Sequence, residues 1–263
     1  MNHKERADIL SEFNYIFENE INYYGKQQIS LGGIFKLETE NFFRNAYLKF
    51  KDLLGNIKGK TILDVGCGKG SLSFYLTKMG ANVTGIDLSQ NYIDFCQKEV
   101  KRRRLTVDFK VMNAQIPDFE DESFDIIVGF RIIHHLPDIE LFFKECKRIL
   151  RKKGYIVFIE PLKKNPIVEF NRKYIAPKMR TTYEHPLLMS EIKKGEKIFG
   201  NIEHYEFFLI SPFARVLQRF IKSNVVFKTT YRFLNFIEKP LYKIIFFKNY
   251  CWQIVFKCVN IKV

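Results

Sequence analysis

Residues 61–76, TILDVGCGKGSLSFYL, constrain the fold of this 263-residue chain more than any other segment. The segment begins as an apolar strand with one acid, Asp64, and then places glycine at every second position, at Gly66, Gly68 and Gly70. A helix is predicted directly after the glycines. Glycine permits positive φ and a close backbone approach, and a helix N-terminus presents free N–H groups. The segment therefore predicts a nucleotide-type site at the carboxyl edge of a sheet.

The rest of the chain supports an α/β architecture. After residue 60, Val- and Ile-rich strands alternate with helices, which predicts a parallel sheet covered on both faces. The predicted strands are 60–66, 82–88, 107–113, 124–130, 155–161, 201–210 and 250–259. The predicted helices are 4–24, 36–55, 71–79, 89–104 (with Ser89 as N-cap), 138–154 and 212–247, with an irregular helical stretch over 165–199.

Composition excludes several classes of protein. Hydrophobic residues make up 46% of the chain, enough for a sizeable core, and no apolar run reaches the roughly 18 to 20 residues of a membrane span. The N-terminal segment lacks the apolar region of a signal peptide, so we expect a cytoplasmic protein. The five cysteines form no CxxC pair, so we expect neither a disulfide framework nor a zinc site, and we predict no metal ligand.

Positive charge concentrates near the C-terminus. The formal net charge is +14, and residues 211–263 hold ten Lys and Arg against one acid, Glu238, which gives +9. A basic face attracts phosphates on lipids, nucleic acids or small substrates, although it can equally be a solvated face.

The glycine spacing argues against a dinucleotide fold. A dinucleotide fingerprint is G-x-G-x-x-G, whereas here the third glycine comes one residue early and Ser71 stands in the fingerprint's place. The run from Asp64 to Gly70 instead resembles motif I of the class I S-adenosylmethionine-dependent methyltransferases, (D/E)-x-G-x-G-x-G. The resemblance continues through residues 60–161 in the order of that family's motifs. It implies a Rossmann-like, seven-stranded, mostly parallel sheet.

The resemblance also implies the donor and its contacts. The cofactor would be S-adenosylmethionine, with S-adenosylhomocysteine as product. Asp87 matches the acid that holds the ribose hydroxyls, and Asn113-Ala114 matches the position that meets the adenine amine. Asp64 either holds the glycine loop or meets the ammonium group through water, or it simply caps loop amides. The full predicted cofactor set is Asp64, Gly66, Cys67, Gly68, Gly70, Asp87, Leu88, Asn113, Ala114, Gln115, Phe130 and Arg131.

Two adjacent histidines after the fourth strand are candidates for catalysis. His135, and next to it His134, lie beside the expected methyl position, and histidine titrates in a useful range for a general base. The alternative is a histidine that only shapes the pocket. Adjacent histidines are expected to point in different directions, which disfavours a metal pair.

The stretch FRIIHHL resembles phosphoethanolamine methyltransferases, in which such a histidine pairs with an N-terminal tyrosine. Tyr15, Tyr23 and Tyr24 are then candidate partners, and residues 29–33 resemble that group's lid over the cofactor.

Acceptor binding is expected in less regular segments. Arg131 follows a buried strand and would meet either an anionic acceptor or a lid residue. Residues 179–191 place Arg180, Tyr183, Glu184 and His185 before Pro186, where Glu184 or His185 would bind an amine or act as base, or else fix a turn. We expect N-terminal helices and a lid over 1–59, a cofactor-binding core over 60–161, and a substrate cap with terminal strands over 162–263.

The expected activity is methyl transfer to an oxygen or nitrogen of a small, mostly apolar acceptor in specialised metabolism. The alternatives are a membrane-associated lipid or quinone methyltransferase and a non-catalytic module that binds the donor. No nucleic-acid partner is expected, because the place after the fourth strand lacks the (D/N)PP(Y/F) tetrapeptide of some RNA methylating enzymes. Residues 212–247 are amphipathic and can cover the pocket, form a homodimer contact in a chain that is otherwise a monomer, or lie on an anionic membrane.

Overall fold

A computed structural model describes residues 3–25, 42–175 and 183–261 of the chain. Seven strands form one sheet in the order β3-β2-β1-β4-β5-β7-β6. β1 to β5 pair in parallel, and β7 runs antiparallel to both of its neighbours, β5 and β6. This confirms the expected seven-stranded, mostly parallel sheet. The strands are β1 Thr61–Val65, β2 Asn82–Asp87, β3 Val107–Val111, β4 Phe124–Phe130, β5 Leu150–Pro161, β6 Glu203–Phe207 and β7 Gln253–Val259.

Ten α-helices surround the sheet within the described residues. They are α1 His3–Gly25, α2 Arg44–Leu54, α3 Ser71–Lys78, α4 Gln90–Arg103, α5 Ile139–Ile149, α6 Pro166–Phe170, α7 Met189–Phe199, α8 Pro212–Ile221, α9 Asn224–Leu241 and α10 Ile245–Lys248. None of the helices in this part of the chain is long and apolar enough to cross a bilayer.

The two faces of the sheet carry separate apolar layers. On β4, Ile127 packs with the α5 and α7 layer, whereas Ile126 and Val128 pack with the layer built by α2, α8 and α9. Successive strand residues point to opposite faces, so a continuous apolar run such as β4 serves both layers. The site-bearing carboxyl edge is therefore held between two cores.

The predicted helix 212–247 is divided into α8, α9 and α10, and the predicted boundary between helix 138–154 and the strand after it is wrong. The predicted helix 138–154 ends at Ile149, and β5 begins at Leu150 instead of residue 155. Leu150 pairs with Phe124 of β4, and the Asn260 side chain donates to the carbonyl oxygens of Leu150 and Arg151 at 3.0 and 3.2 Å. A distant residue thus ends a helix that the local pattern favours. The predicted lid at residues 29–33 and the first part of the predicted helix 36–55 lie outside the described residues.

The carboxylate of β1 is buried and holds the helix that follows. Asp64 is 1% exposed, and it accepts a hydrogen bond of 2.5 Å from the Ser73 hydroxyl in the first turn of α3. Burial raises the pKa of Asp64 to about 7, against the opposing effect of the Ser73 hydrogen bonds. Asp64 therefore fixes the angle between β1 and α3, and it does not line the cavity described below.

This buried acid predicts a pH-dependent stability. The unfolded chain releases the Asp64 proton near its usual pKa of 3.8, whereas the folded chain keeps it until about 7. The Asp64 contribution to the free energy of unfolding therefore falls as pH rises through this window. Asp64→Asn keeps an oxygen for Ser73 and does not titrate. We therefore expect the free energy of unfolding of Asp64→Asn to increase relative to that of the wild type as pH rises through this window. The increase should be at most about 1.4 kcal/mol per pH unit.

Urea unfolding of both proteins at several pH values across the window measures the gain. Asp94→Asn is the control, because Asp94 is an exposed α4 residue. A difference between the wild type and Asp64→Asn that does not change with pH would contradict the prediction.

Candidate active site

A cavity of about 270 Å³ lies at the carboxyl edge of the sheet, where β1, β2 and β4 end. The strand ends supply its floor, and α1 supplies a wall through Phe17, Glu20 and Ile21. Seven residues predicted from the sequence line this cavity: Gly66, Gly68, Asp87, Leu88, Ala114, Arg131 and His135. The glycine-rich turn, the second-strand acid and the histidine pair thus meet at one place.

Two glycines shape the cavity floor in different ways. Gly66 has φ +65°, and a Cβ added there would lie 2.7 Å from Ile132 side-chain carbons. Gly68 has φ +49°, and an added Cβ would meet nothing within 4 Å. Gly66 therefore allows the turn after β1 to pack under the loop after β4. Because Gly68 has no side chain, its backbone is exposed to the open cavity.

Asp87 connects the two strand ends across the cavity. Its Oδ2 accepts from the Gly68 backbone N–H at 2.8 Å, and its Oδ1 accepts from the Ser89 N–H at 2.9 Å. Burial raises the pKa of Asp87, while these two amides and His135 act in the opposite direction. Each carboxylate oxygen has a second lone pair for a ligand.

Ser89 precedes α4 as predicted, but its hydroxyl does not cap the helix. The Ser89 Oγ is buried and has no hydrogen-bond partner among the described residues. Ser89 also lines the cavity beside Asp87. A buried hydroxyl without a partner at this position is suited to a polar ligand.

Asn113 and Gln115 do not line this cavity, and their contact with the adenine stays a prediction. Asn113 Oδ1 accepts from the Gln115 N–H at 2.8 Å, which makes a local turn. The Gln115 side chain is fully buried, and its amide donates to the Asp138 carbonyl at 2.5 Å and accepts from the Asp138 N–H at 3.1 Å. With both ends engaged, Gln115 braces the loop before α5, which leaves Ala114 to face the cavity.

Three other residues of the predicted cofactor set also lie outside the lining of this cavity. The Phe130 ring packs against Tyr47 and Phe50, at centroid distances of 5.5 and 4.6 Å. Cys67 belongs to a small apolar cluster under α4. At Gly70, an added Cβ would lie 2.9 Å from side chains of that cluster, so this glycine serves packing.

His135 pairs with a carboxylate of α1. Its Nδ1 lies 3.0 Å from Glu20 Oε2, and both side chains are largely buried. Burial lowers the pKa of His135, but the Glu20, Glu184 and Glu160 carboxylates outweigh it, so the pKa is raised above 6.5. Glu20 is therefore one partner of His135, and a pairing with Tyr23 or Tyr24 stays a prediction. Tyr15 instead contacts Tyr183 edge-on at 5.4 Å, and the Tyr24 side chain lies outside the described residues.

His134 is held behind His135 by a buried carboxylate. Its Nδ1 lies 2.7 Å from Glu160 Oε2, while Glu160 Oε1 accepts from the N–H groups of Ile132 and Ile133 at 2.8 Å. Burial lowers the pKa of His134 against the pull of Glu160. Glu160 thus fixes the whole loop after β4, and His134 does not line the cavity.

The two histidines do not point as far apart as expected. Their rings lie 4.2 Å apart at 39°, and Glu184 Oε1 lies 3.7 Å from His134 Nε2. One possible ligand atom from each of these three residues falls within 4.8 Å of the other two. Glu184 therefore reaches the histidine pair. His185 turns away and lies 3.3 Å from Glu191, with 42% of its side chain exposed, and Arg180 lies outside the described residues.

A second, larger cavity of about 490 Å³ lies between α8, the α6 region and Trp252. Its apolar walls include Phe43 and Val168, and its cations are Arg215 and Arg219. Asn171 Oδ1 and Trp252 Nε1 are buried there without a partner among the described residues. The Arg131 guanidinium, which lines the first cavity, lies 4.9 Å from the Phe43 ring centroid. Arg131 and Phe43 therefore stand between the two cavities.

Sequence reasoning missed the contribution of α1. Phe17, Glu20 and Ile21 recur at i, i+3 and i+4, which places them on one helix face. An acid on an apolar helix face was the available signal, because such a carboxylate needs a buried partner.

Comparison with known proteins shows what the core of the chain is similar to. Residues 63–158 match the family model described as a methyltransferase domain. The ubiquinone biosynthesis O-methyltransferase of Coxiella burnetii is 32% identical over 123 residues, which are 47% of this chain and 53% of that protein. Its counterpart in Pelagibacter ubique is 36% identical over 126 residues, 48% of this chain and 50% of that protein. The match therefore spans about half the length of these curated relatives.

Solved structures resemble the fold over nearly the whole chain. One is Haemonchus contortus phosphoethanolamine N-methyltransferase 2, in complex with phosphomonomethylethanolamine and S-adenosylhomocysteine. Its TM-score is 0.62 at 20% identity, and the match covers 92% of this chain and 60% of that protein's chain. Streptomyces coelicolor geranyl diphosphate C-methyltransferase, in complex with Mg²⁺, geranyl diphosphate and S-adenosyl-L-homocysteine, has a TM-score of 0.62 at 14% identity, with coverages of 93% and 98%. Residues 63–158 of this chain are therefore similar to a methyltransferase domain, and the chain has the fold of these solved methyltransferases.

Proposed function

We propose that this protein transfers a methyl group from S-adenosylmethionine to a hydroxyl oxygen of a small amphipathic acceptor. The observation that carries the proposal is the meeting of the bare Gly68 backbone, Asp87 and His135 in one cavity of a methyltransferase domain. These groups come from three different strand ends, and a purely structural role would not require them to face one open space.

The residues of the cavity are suited to this donor. The turn at Gly66 and Gly68 offers backbone groups to the amino-acid end, while Asp87 and the unpartnered Ser89 Oγ offer acceptors and a donor to the ribose hydroxyls. Met112 and Ala114 supply apolar surface for the adenine. When bound, the donor supplies an electrophilic methyl on a sulfonium, so the protein mainly has to orient and desolvate the acceptor.

His135 is the proposed general base. A hydroxyl acceptor keeps its proton at neutral pH, so proton removal assists attack on the methyl carbon. Glu20 beside Nδ1 fixes the ring and stabilises the imidazolium formed when the ring takes the proton. The buried carboxylate also raises the pKa of His135, which strengthens it as a base.

The second cavity is the proposed acceptor site. It combines aromatic walls with Arg215 and Arg219, which suits an apolar molecule with an acidic group. It adjoins the donor cavity, because Arg131 of the donor cavity lies 4.9 Å from the ring of Phe43 in its own wall. The relatives named for ubiquinone biosynthesis favour an oxygen acceptor of the quinone-precursor type over an amine.

Donor binding and methyl transfer test the proposal separately. S-adenosylhomocysteine at about 100 times its dissociation constant should stabilise the protein by about 2.7 kcal/mol, measured as a rise in melting temperature. Labelled S-adenosylmethionine should then pass its methyl to a catechol that carries an alkyl chain, and not to phosphoethanolamine. Donor binding without transfer to any phenol would favour the non-catalytic module, and transfer to the amine would overturn the choice of oxygen.

Asp87→Ala should weaken S-adenosylhomocysteine binding by about tenfold or more. The substitution removes a charge-assisted contact to the ribose hydroxyls, worth roughly 1.5–3 kcal/mol, and also releases the Gly68 and Ser89 amides. Calorimetry measures the affinity. Asp94→Ala on α4 removes the same charge outside the cavity lining and should bind as the wild type does. An unchanged affinity in Asp87→Ala would remove Asp87 from the donor site.

The His135–Glu20 pair predicts a pH profile. kcat/KM should rise with pH as His135 loses its proton, and Glu20→Gln should move this rise to lower pH because the carboxylate no longer stabilises the imidazolium. His135→Gln should lower kcat by about 10²–10⁴-fold and keep donor affinity within a few-fold. Glu18→Gln, an exposed substitution on the same helix, is the control and should leave the profile in place. A Glu20→Gln profile that coincides with the wild type would exclude the pair from proton transfer.

A further inference from the structure

We propose that α8, α9 and α10 form a face with which this protein lies on an anionic lipid bilayer. The proposal goes beyond methyl transfer, because it concerns the surface on which the protein works. It rests on the arrangement of apolar and cationic side chains along α9 and on the burial of the acid in the C-terminal region.

The side chains of α9 fall into three rows. At 100° per residue, Phe227, Tyr231 and Glu238 share the side that is buried against the core. The opposite side carries three exposed apolar residues, which are Val225, Phe233 and Phe236 at 75, 63 and 75% exposure. Between these two sides runs an exposed cationic row: Lys228, Arg232 and Lys239.

The helices on either side of α9 in the sequence also carry exposed apolar residues. Phe220, at the end of α8, is 71% exposed, and Ile245 and Phe246 of α10 are 78 and 62% exposed. Single exposed apolar residues are ordinary, but a helix with apolar residues directly opposite its buried side has a second apolar surface to cover. Large apolar residues next to a Lys and Arg row are the arrangement of helices that lie in a lipid interface.

The exposed charge of this region is of one sign. Glu238 is the only acid between residues 211 and 263, and it is completely buried. Its Oε2 accepts from the Ile210 and Ser211 N–H groups at 2.9 Å, and its Oε1 accepts from the Ser211 hydroxyl at 2.8 Å. The carboxylate thus accepts hydrogen bonds at the N-terminus of α8 and does not neutralise the positive charge of the outer surface. Each Lys or Arg close to an anionic bilayer strengthens binding by about fivefold.

Charge also favours a bilayer over a second copy of this chain. A two-fold dimer through α9 sets the same surface against itself, which brings the row Lys228, Arg232 and Lys239 towards its own copy. An anionic bilayer satisfies both rows at once, with phosphates for the cations and acyl chains for Phe233 and Phe236. α8 also carries Arg215 and Arg219 of the second cavity, so this face and the proposed acceptor cavity share a helix.

Vesicle flotation tests the proposal on the full chain. We expect the wild type to float with vesicles of phosphatidylcholine and phosphatidylglycerol and to stay in solution with phosphatidylcholine alone or at high salt. The triple variant Lys228→Gln/Arg232→Gln/Lys239→Gln should bind the anionic vesicles at least about tenfold more weakly. The double variant Phe233→Ser/Phe236→Ser should also lose binding, because insertion and charge act together.

The matched control is Lys193→Gln/Lys194→Gln/Lys197→Gln on α7, which removes the same charge from exposed residues of another helix. It should float like the wild type. An equal loss in the control would mean nonspecific attraction, and no flotation of the wild type would overturn the proposal. A dimer in size-exclusion chromatography that only the α9 variants break, without flotation, would assign the face to a second copy.

Calorimetry with S-adenosylhomocysteine on the same variants separates this test from the proposed function. None of the substituted α9 residues lines either cavity, so donor affinity should remain as in the wild type. A protein that binds the donor but not vesicles would contradict only the docking face, whereas one that binds vesicles but not the donor would contradict only the proposed function.

Discussion

The carboxylate of Asp87 is the interaction on which the site depends. Its two oxygens hold the Gly68 and Ser89 amides, and so they join the turn after β1 to the turn after β2. These turns belong to adjacent parallel strands, whose carboxyl ends open onto the same edge. Without a bridging acceptor, two bare backbone segments would face each other with their N–H groups unsatisfied. These two hydrogen bonds therefore close the floor of the cavity. They leave the remaining lone pairs of the Asp87 carboxylate available to a ligand.

Buried carboxylates repeat this role elsewhere in the chain. Glu160 satisfies the Ile132 and Ile133 amides and orients His134, and Glu238 satisfies the start of α8. Asp64 fixes α3 through Ser73. In each case a buried acid ties a loop or helix start to a strand or to another helix, which is tolerated only because the acid gains several hydrogen bonds or holds its proton. Of the two acids in the predicted cofactor set, Asp87 lines the cavity, whereas Asp64 fixes the helix beside it.

The sequence predicted the elements that depend on local information. Glycine spacing and the runs of Val and Ile placed β1 to β4, and the motif order brought Gly68, Asp87 and His135 to one edge. It failed where a distant residue decides. Asn260 turns the end of a predicted helix into the start of β5, Asp138 takes both ends of the Gln115 amide, and Glu20 reaches His135 from a helix more than a hundred residues earlier. Local patterns give the type of an element, but tertiary contacts decide which polar groups remain for a ligand.

The positions of α1 and α9 connect the proposed methyl transfer to the proposed binding of a lipid surface. α1 closes the proposed donor cavity with one apolar face and sets Glu20 beside His135, the proposed base. α9 packs one face onto the core and turns another to the outside, while its neighbour α8 lines the proposed acceptor cavity. An amphipathic acceptor partitions into bilayers, so an enzyme that searches along the lipid surface meets it at a higher local concentration than one in bulk water. The cationic row would then raise the effective affinity for the acceptor without any additional contact in the cavity, because it changes only where the encounter takes place.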